Sequence, residues 1–141
     1  MAVNRRPRFS GGSSIQWGGA FITAANTAKD GTGTVTTIAT AGADGMLVQK
    51  LVARSVGTNV ATVLRVFMNN GGVNTTASNN SLIAEMTLPA TTISEVAAQP
   101  TYELGLNLDI PATYKINVTI GTAVAAGYQV TAIGGSFTDV A

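Results

Sequence analysis

Eight short runs rich in Val, Ile, Thr, Leu, Tyr and Phe follow one another along this chain, each closed by small turn residues. This repeat of brief β-prone runs constrains the fold more than any other feature. The runs cover residues 19–24, 34–40, 46–56, 60–69, 82–88, 102–109, 114–120 and 128–137. None shows the three-to-four spacing of an amphipathic helix, whereas several alternate with period two. Within 60–69, Val60, Thr62, Leu64, Val66 and Met68 share the more apolar face, which is expected to meet the core. Within 114–120, Tyr114, Ile116, Val118 and Ile120 oppose Lys115, Asn117 and Thr119, which predicts a half-buried strand. The run 46–56 is mixed on both faces: Leu47, Gln49, Leu51, Ala53 and Ser55 against Val48, Lys50, Val52 and Arg54.

Turn chemistry separates the runs. Lys29-Asp30-Gly31, Ala43-Asp44-Gly45, Val56-Gly57-Thr58-Asn59 and Asn69-Asn70-Gly71-Gly72 suit tight corners, because Gly, Asn and Asp tolerate the backbone angles that such turns demand. Pro89 and Pro111 end strands, since proline has no N–H to give to a ladder. Eight strands without βαβ alternation predict an all-β fold, a two-sheet antiparallel sandwich. An eight-stranded jelly roll is the first reading and an immunoglobulin-like sandwich the alternative. With 141 residues the chain makes one such domain, over 19–141. Residues 1–18 are expected to form a basic N-terminal extended arm with a Gly/Ser linker.

That arm carries Arg5, Arg6 and Arg8 and no acid, so its +3 leaves −2 on the remainder of a chain whose net charge is +1. It also carries Phe9, Ile15 and Trp17, apolar side chains unusual in a solvated tail, and these six residues together are the candidate partner-docking arm. Three arginines are too few for more than weak, salt-sensitive phosphate binding, and no nucleic-acid partner is expected. No apolar run approaches the roughly 20 residues of a membrane helix, and no membrane partner is expected either.

Charged residues make up only 11% of the chain, against a usual share of about a quarter. Thr, Asn, Ser and Gly supply the surface polarity, which suits contacts between assembled subunits better than isolation in a crowded solution. The chemistry of catalysis is thinly represented. With no His and no Cys, imidazole acid/base work, the Ser-His-Asp triad and thiolate or imidazole metal ligation are all excluded. The seven acids are dispersed, and Asp30 and Asp44 sit in Asp-Gly turns where a structural role suffices. The stretch Gly31-Thr32-Gly33-Thr34 lacks the Gly-Lys-Ser/Thr ending of a phosphate loop. No catalytic residue, metal site or cofactor is expected, and the chain reads as non-enzymatic.

Two phrases give the chain a family texture. The run Gly57-Thr58-Asn59-Val60-Ala61-Thr62-Val63-Leu64-Arg65-Val66-Phe67-Met68-Asn69-Asn70 is one. The other is Leu88-Pro89-Ala90-Thr91-Thr92 with the later Pro111-Ala112-Thr113-Tyr114-Lys115-Ile116. Over about residues 20–135 the chain resembles small virion structural proteins of tailed bacteriophages, in particular capsid decoration, or cement, proteins. The resemblance implies a jelly-roll homo-oligomer, commonly a trimer, on the outer surface of the capsid. Its partners would be itself and the major capsid protein or other virion proteins, and the resemblance transfers no catalytic residues.

A second class of function competes with this one. A tail, fibre or head-surface sandwich can recognise host-surface carbohydrate or receptor through polar loops. The longest such loop supplies the candidate recognition residues Asn69, Asn70, Asn74, Asn79 and Asn80.

Overall fold

The computed structural model describes residues 10–137, with side chains from Gly19 onward. All eight runs are strands: β1 Ser10–Ile22, β2 Thr36–Thr40, β3 Met46–Ser55, β4 Thr62–Asn69, β5 Asn80–Leu88, β6 Thr101–Ile110, β7 Lys115–Ile120 and β8 Tyr128–Phe137. A single 3₁₀ turn, Ala77–Asn79, interrupts the loop before β5. Two antiparallel four-stranded sheets result, one ordered β1-β8-β3-β6 and the other β2-β7-β4-β5. The pairs β1/β8, β2/β7, β3/β6 and β4/β5 are nested, as though one long hairpin had been wrapped on itself.

β1 starts earlier than the apolar pattern indicates. Its backbone pairs with β8 from Ile15 opposite Gly135 to Ile22 opposite Tyr128, after an irregularity that follows Ser10. The stretch 10–18, read from the sequence as linker, therefore has strand backbone. Arg5, Arg6, Arg8 and Phe9 lie outside the described residues, as do the side chains of Ile15 and Trp17.

The core lies between the sheets and is built from Met46, Val48, Leu51 and Ala53 of β3, Leu64 and Val66 of β4, Ile116, Val118 and Ile120 of β7, and Tyr128 and Val130 of β8. These side chains are withdrawn almost completely from water, the largest favourable term available to a chain without disulfides. In β3 the buried set changes phase, from Met46 and Val48 to Leu51, Ala53 and Ser55. The cause is a bulge at Gln49, since the register against both neighbours slips between Val48 and Lys50. A strict alternation through that bulge mixes the two faces, which explains the ambiguous pattern of this run.

In β4, Leu64 and Val66 face the core as expected and Met68 packs against it, whereas Val60 lies before the strand and is exposed. β7 departs from the half-buried expectation, for Asn117 and Thr119 are as buried as Ile116 and Val118. The connection 23–35 explains this burial. Ala25 bridges to Ile120 at one end of the sandwich, the guanidinium of Arg65 donates to the Asn26 carbonyl, and the loop meets Asn74 and Asn80 at the other end. It therefore crosses the outer face of the second sheet, where Arg65, Phe67, Asn117 and Thr119 are buried away from the main core.

Candidate interaction surface

The asparagines of the loop 70–79 are brought together, but they face their own chain. Asn69 donates through Nδ2 to Asn80 Oδ1 (2.9 Å), and its own Oδ1 accepts from the Gly71 N–H (2.8 Å). Asn70 Nδ2 donates to Asn79 Oδ1, and Asn79 Nδ2 to the Val73 carbonyl. Asn74 Nδ2 reaches the Gly33 carbonyl (2.8 Å), and Asn80 Nδ2 reaches those of Asn74 (2.8 Å) and Asp30 (3.1 Å). All five candidate recognition residues thus clamp this loop to itself and to the 23–35 crossing. Beside them lies a cleft of about 380 Å³ bordered by Thr37, Thr75, Lys115 and Asn117, with Val73 at its mouth, 68% exposed.

A second polar clamp, which the sequence did not advertise, closes one end of the sandwich. Asn59 is 4% exposed. Its Oδ1 accepts from the N–H groups of Ala126 and Gly127 (both 2.9 Å), and its Nδ2 donates to Ser55 Oγ and to the Gly127 carbonyl (both 2.9 Å). Ser55 Oγ and Thr91 Oγ1 lie 2.8 Å apart, and the Gly57 carbonyl is within hydrogen-bond reach of both (2.6 and 2.8 Å), so two hydroxyl protons are shared among these three oxygens. Backbone bonds between Asn59 and Thr91 run in both directions. Three loops, 56–61, 89–100 and 121–127, are joined by this knot. The phenol of Tyr128 adds a bond to the Pro89 carbonyl (3.0 Å), and burial raises its pKa above the usual value.

The same loops turn apolar side chains outward. Ile93 is 54% exposed, Val60 56%, and Val96 97%, while Ser55, Asn59 and Thr91 beneath them are buried. The Ile93 N–H donates to Thr58 Oγ1, which joins the two loops at the tip. The polarity is inverted relative to an ordinary solvated loop: polar groups hold the shape and apolar groups meet the surroundings. Isolated exposed apolar residues are ordinary; these three are carried on loops of one end that the buried polar groups brace. The signal in the sequence was Asn59 and Thr91 beside Val60 and Ile93, which reads as turn chemistry until the loops are brought together.

Electrostatics on this scaffold are sparse. Lys50 pairs with Glu103 at 3.0 Å on the exposed face of the first sheet, and Arg65 pairs with Glu85 at 2.9 Å beneath the 23–35 crossing. Asp30 is held below the usual carboxylate range by the hydroxyl and then the N–H of Thr32. Among the described residues no three acids gather as a metal site would require, and no helix is long and apolar enough to cross a membrane. Compared with protein-family models, with curated proteins and with solved structures, the chain matches none.

Proposed function

We propose that this chain is a non-enzymatic structural protein of a bacteriophage particle, a jelly-roll subunit of decoration type that reinforces the head by packing against other proteins. The nested pairing of four strands with four, split over two sheets, supports the jelly-roll reading over the immunoglobulin-like one. The observation that carries the function is the inverted polarity of the loops, with Asn59, Ser55 and Thr91 buried as braces and Val60, Ile93 and Val96 presented outward. Rigid apolar loops lose little conformational freedom on contact, and few charges have to be desolvated. The resemblance of the 57–70 and 88–92 phrases to phage virion proteins supplies the setting.

The cleft beside Lys115 and Thr75 is the feature that favours the competing role, recognition of a host-surface glycan. The engagement of the neighbouring asparagine amides within the chain weighs against it. The test is the quantitative composition of purified particles together with their cryo-EM reconstruction. Hundreds of copies on the head lattice are the expected result. Absence from particles overturns the virion reading, and a few copies at a tail tip with saturable glycan binding replaces decoration by recognition.

A further inference from the structure

β1 begins at Ser10, opposite Phe137 at the end of β8, so the segment 1–9 joins the sandwich beside Phe137. The same end holds the 41–45 loop, whose Gly45 carbonyl accepts from the Phe137 N–H, and the turn that follows β6 at Ile110. Between them lies a cleft of about 540 Å³ lined by Asp44, Leu47, Asp109, Ile110, Pro111 and Phe137. Register explains its shape. Leu47 stands opposite Asp109 on β6 and Gly135 on β8, and directly opposed residues of an antiparallel pair share a face. Met46 and Val48 point into the core, so Leu47 and Asp109 point away from it, and Gly135 places no side chain beside them.

The cleft combines two carboxylates with apolar walls. Among the described residues Asp109 makes no ion pair. The segment that joins the sandwich here has the complementary character. Arg5-Arg6-Pro7-Arg8-Phe9 holds three cations, an aromatic ring and no acid, and the chain divides its charge as +3 before residue 15 and −2 after it. Residues 138–141, which also start at Phe137, offer Asp139 and no cation, so charge selects the N-terminal segment over the C-terminal one.

We infer that the N-terminal arm docks on its own domain, laid across this cleft with its arginines beside Asp44 and Asp109 and Phe9 against the apolar wall of Leu47 and Phe137. The inference goes beyond the packing role proposed above and does not depend on it. Reach is sufficient. β6 is the third strand from β1 in the order β1-β8-β3-β6, about 14 Å away at a strand spacing of about 4.8 Å. Four residues of extended chain cover about 13 Å, which brings Arg6 to the Asp109 side of the cleft and leaves Arg8 near the 41–45 loop. Pro7 restricts its own backbone and that of Arg6 to extended forms, so less freedom is lost on docking. Single exposed charge pairs are weak, but the tether of a few residues holds the arm at about millimolar effective concentration, where several weak contacts suffice.

The chain has no cysteine, so pairs can be introduced into the full-length protein without background. Asn4→Cys with Ala112→Cys, beside the cleft, is compared with Asn4→Cys with Thr40→Cys, at the same end but on β2 of the other sheet. Sheets stack about 10 Å apart and β1 lies next to β2, so an arm without a fixed seat reaches position 40 at least as readily as position 112. In dilute solution the 4 and 112 pair is expected to close an intramolecular disulfide at least about fivefold faster than the 4 and 40 pair. Adding Asp109→Lys, a change at an exposed position, is expected to remove this preference with an unchanged thermal midpoint. Salt near 1 M, where the Debye length is about 3 Å, is expected to reduce it. Hydrogen exchange of the unmodified chain should be slower at residues 5–9 than in Asp109→Lys. Equal or faster linking from positions 4 and 40, a preference indifferent to Asp109→Lys, or disulfide-linked dimers in place of the intramolecular product overturns the inference, the last by assigning the arm to a neighbouring copy.

Discussion

Gly134 of β8 runs against the carbonyl group of Leu47 in β3, so closely that a Cβ on residue 134 would overlap the Leu47 oxygen. The bulge at Gln49 produces this approach by pushing the preceding backbone of β3 toward β8, and Gly134 is opposite Val48 where the register slips. Gly134→Ala is therefore expected to force the two central strands of the first sheet apart. The cost should be about 3 kcal/mol or more, the upper range for overpacking, because a backbone atom and not a flexible side chain has to yield. Gly105→Ala is the control, with a change within about 0.5 kcal/mol. Urea unfolding of both variants measures the difference, and equal midpoints would refute the account of the bulge.

The positions of the strands were legible because period-two alternation is a local signal, and all eight runs hold strands. What was not legible depends on contacts distant in sequence. The two buried phases of β3, Met46 and Val48 before Gln49 and Leu51 and Ala53 after it, cannot be separated without knowing that a bulge lies between them. Asn117 and Thr119 look like a solvent face, and they are buried because residues 23–35, more than 80 positions earlier, pass over them. Asn69, Asn74 and Asn80 are recognition candidates only in the competing reading, and within the chain they bond to carbonyls and amides of the 23–35 and 69–80 segments. A side-chain amide serves either purpose equally well, and only its neighbours decide which.

Asn59 should be the least replaceable polar residue of the described chain. Asn59→Ala leaves the N–H groups of Ala126 and Gly127 without their side-chain acceptor at a site where water has little access. The expected loss is about 3 kcal/mol, since each buried group left unsatisfied costs about 1–3 kcal/mol and some relaxation follows. Ser55→Ala, which leaves the Asn59 bonds to residues 126 and 127 in place, should cost about 1 kcal/mol. Chemical denaturation gives both values, and the reverse ranking would show that the knot is not centred on Asn59.

Tyr128 predicts a fall in stability at alkaline pH. Burial raises the pKa of its phenol in the folded state, so above the ordinary tyrosine range, near pH 10, the unfolded chain releases this proton while the folded chain still holds it. The folded state then binds more protons than the unfolded one, and stability decreases as pH rises, until the folded phenol itself ionises. Below pH 10 the contribution is fully present. Tyr128→Phe loses the bond to the Pro89 carbonyl, about 1 kcal/mol near neutrality, but should show a shallower decline between pH 9 and 11. Thermal midpoints of the two proteins across that range test the sign, and parallel curves would remove Tyr128 from the explanation.

The Lys50–Glu103 and Arg65–Glu85 ion pairs should behave differently although their lengths are nearly equal. Lys50 and Glu103 are 38% and 55% exposed in their side chains, and Glu103→Gln is expected to change stability by less than about 0.5 kcal/mol. The Arg65 side chain is only 10% exposed, and its guanidinium is held between Glu85 and the carbonyl of Asn26. Glu85→Ala removes the one acid paired with this cation among the described residues and leaves the charge under the 23–35 crossing, for a loss of about 2 kcal/mol. Because Asn26 also organises that crossing, with its Nδ2 on the carbonyls of Thr32 and Thr34, the loss should extend to the loop. Hydrogen exchange at residues 26–34 is expected to accelerate in Glu85→Ala and to stay unchanged in Glu103→Gln, and equal effects of the two substitutions would separate the Arg65 pair from the seating of the loop.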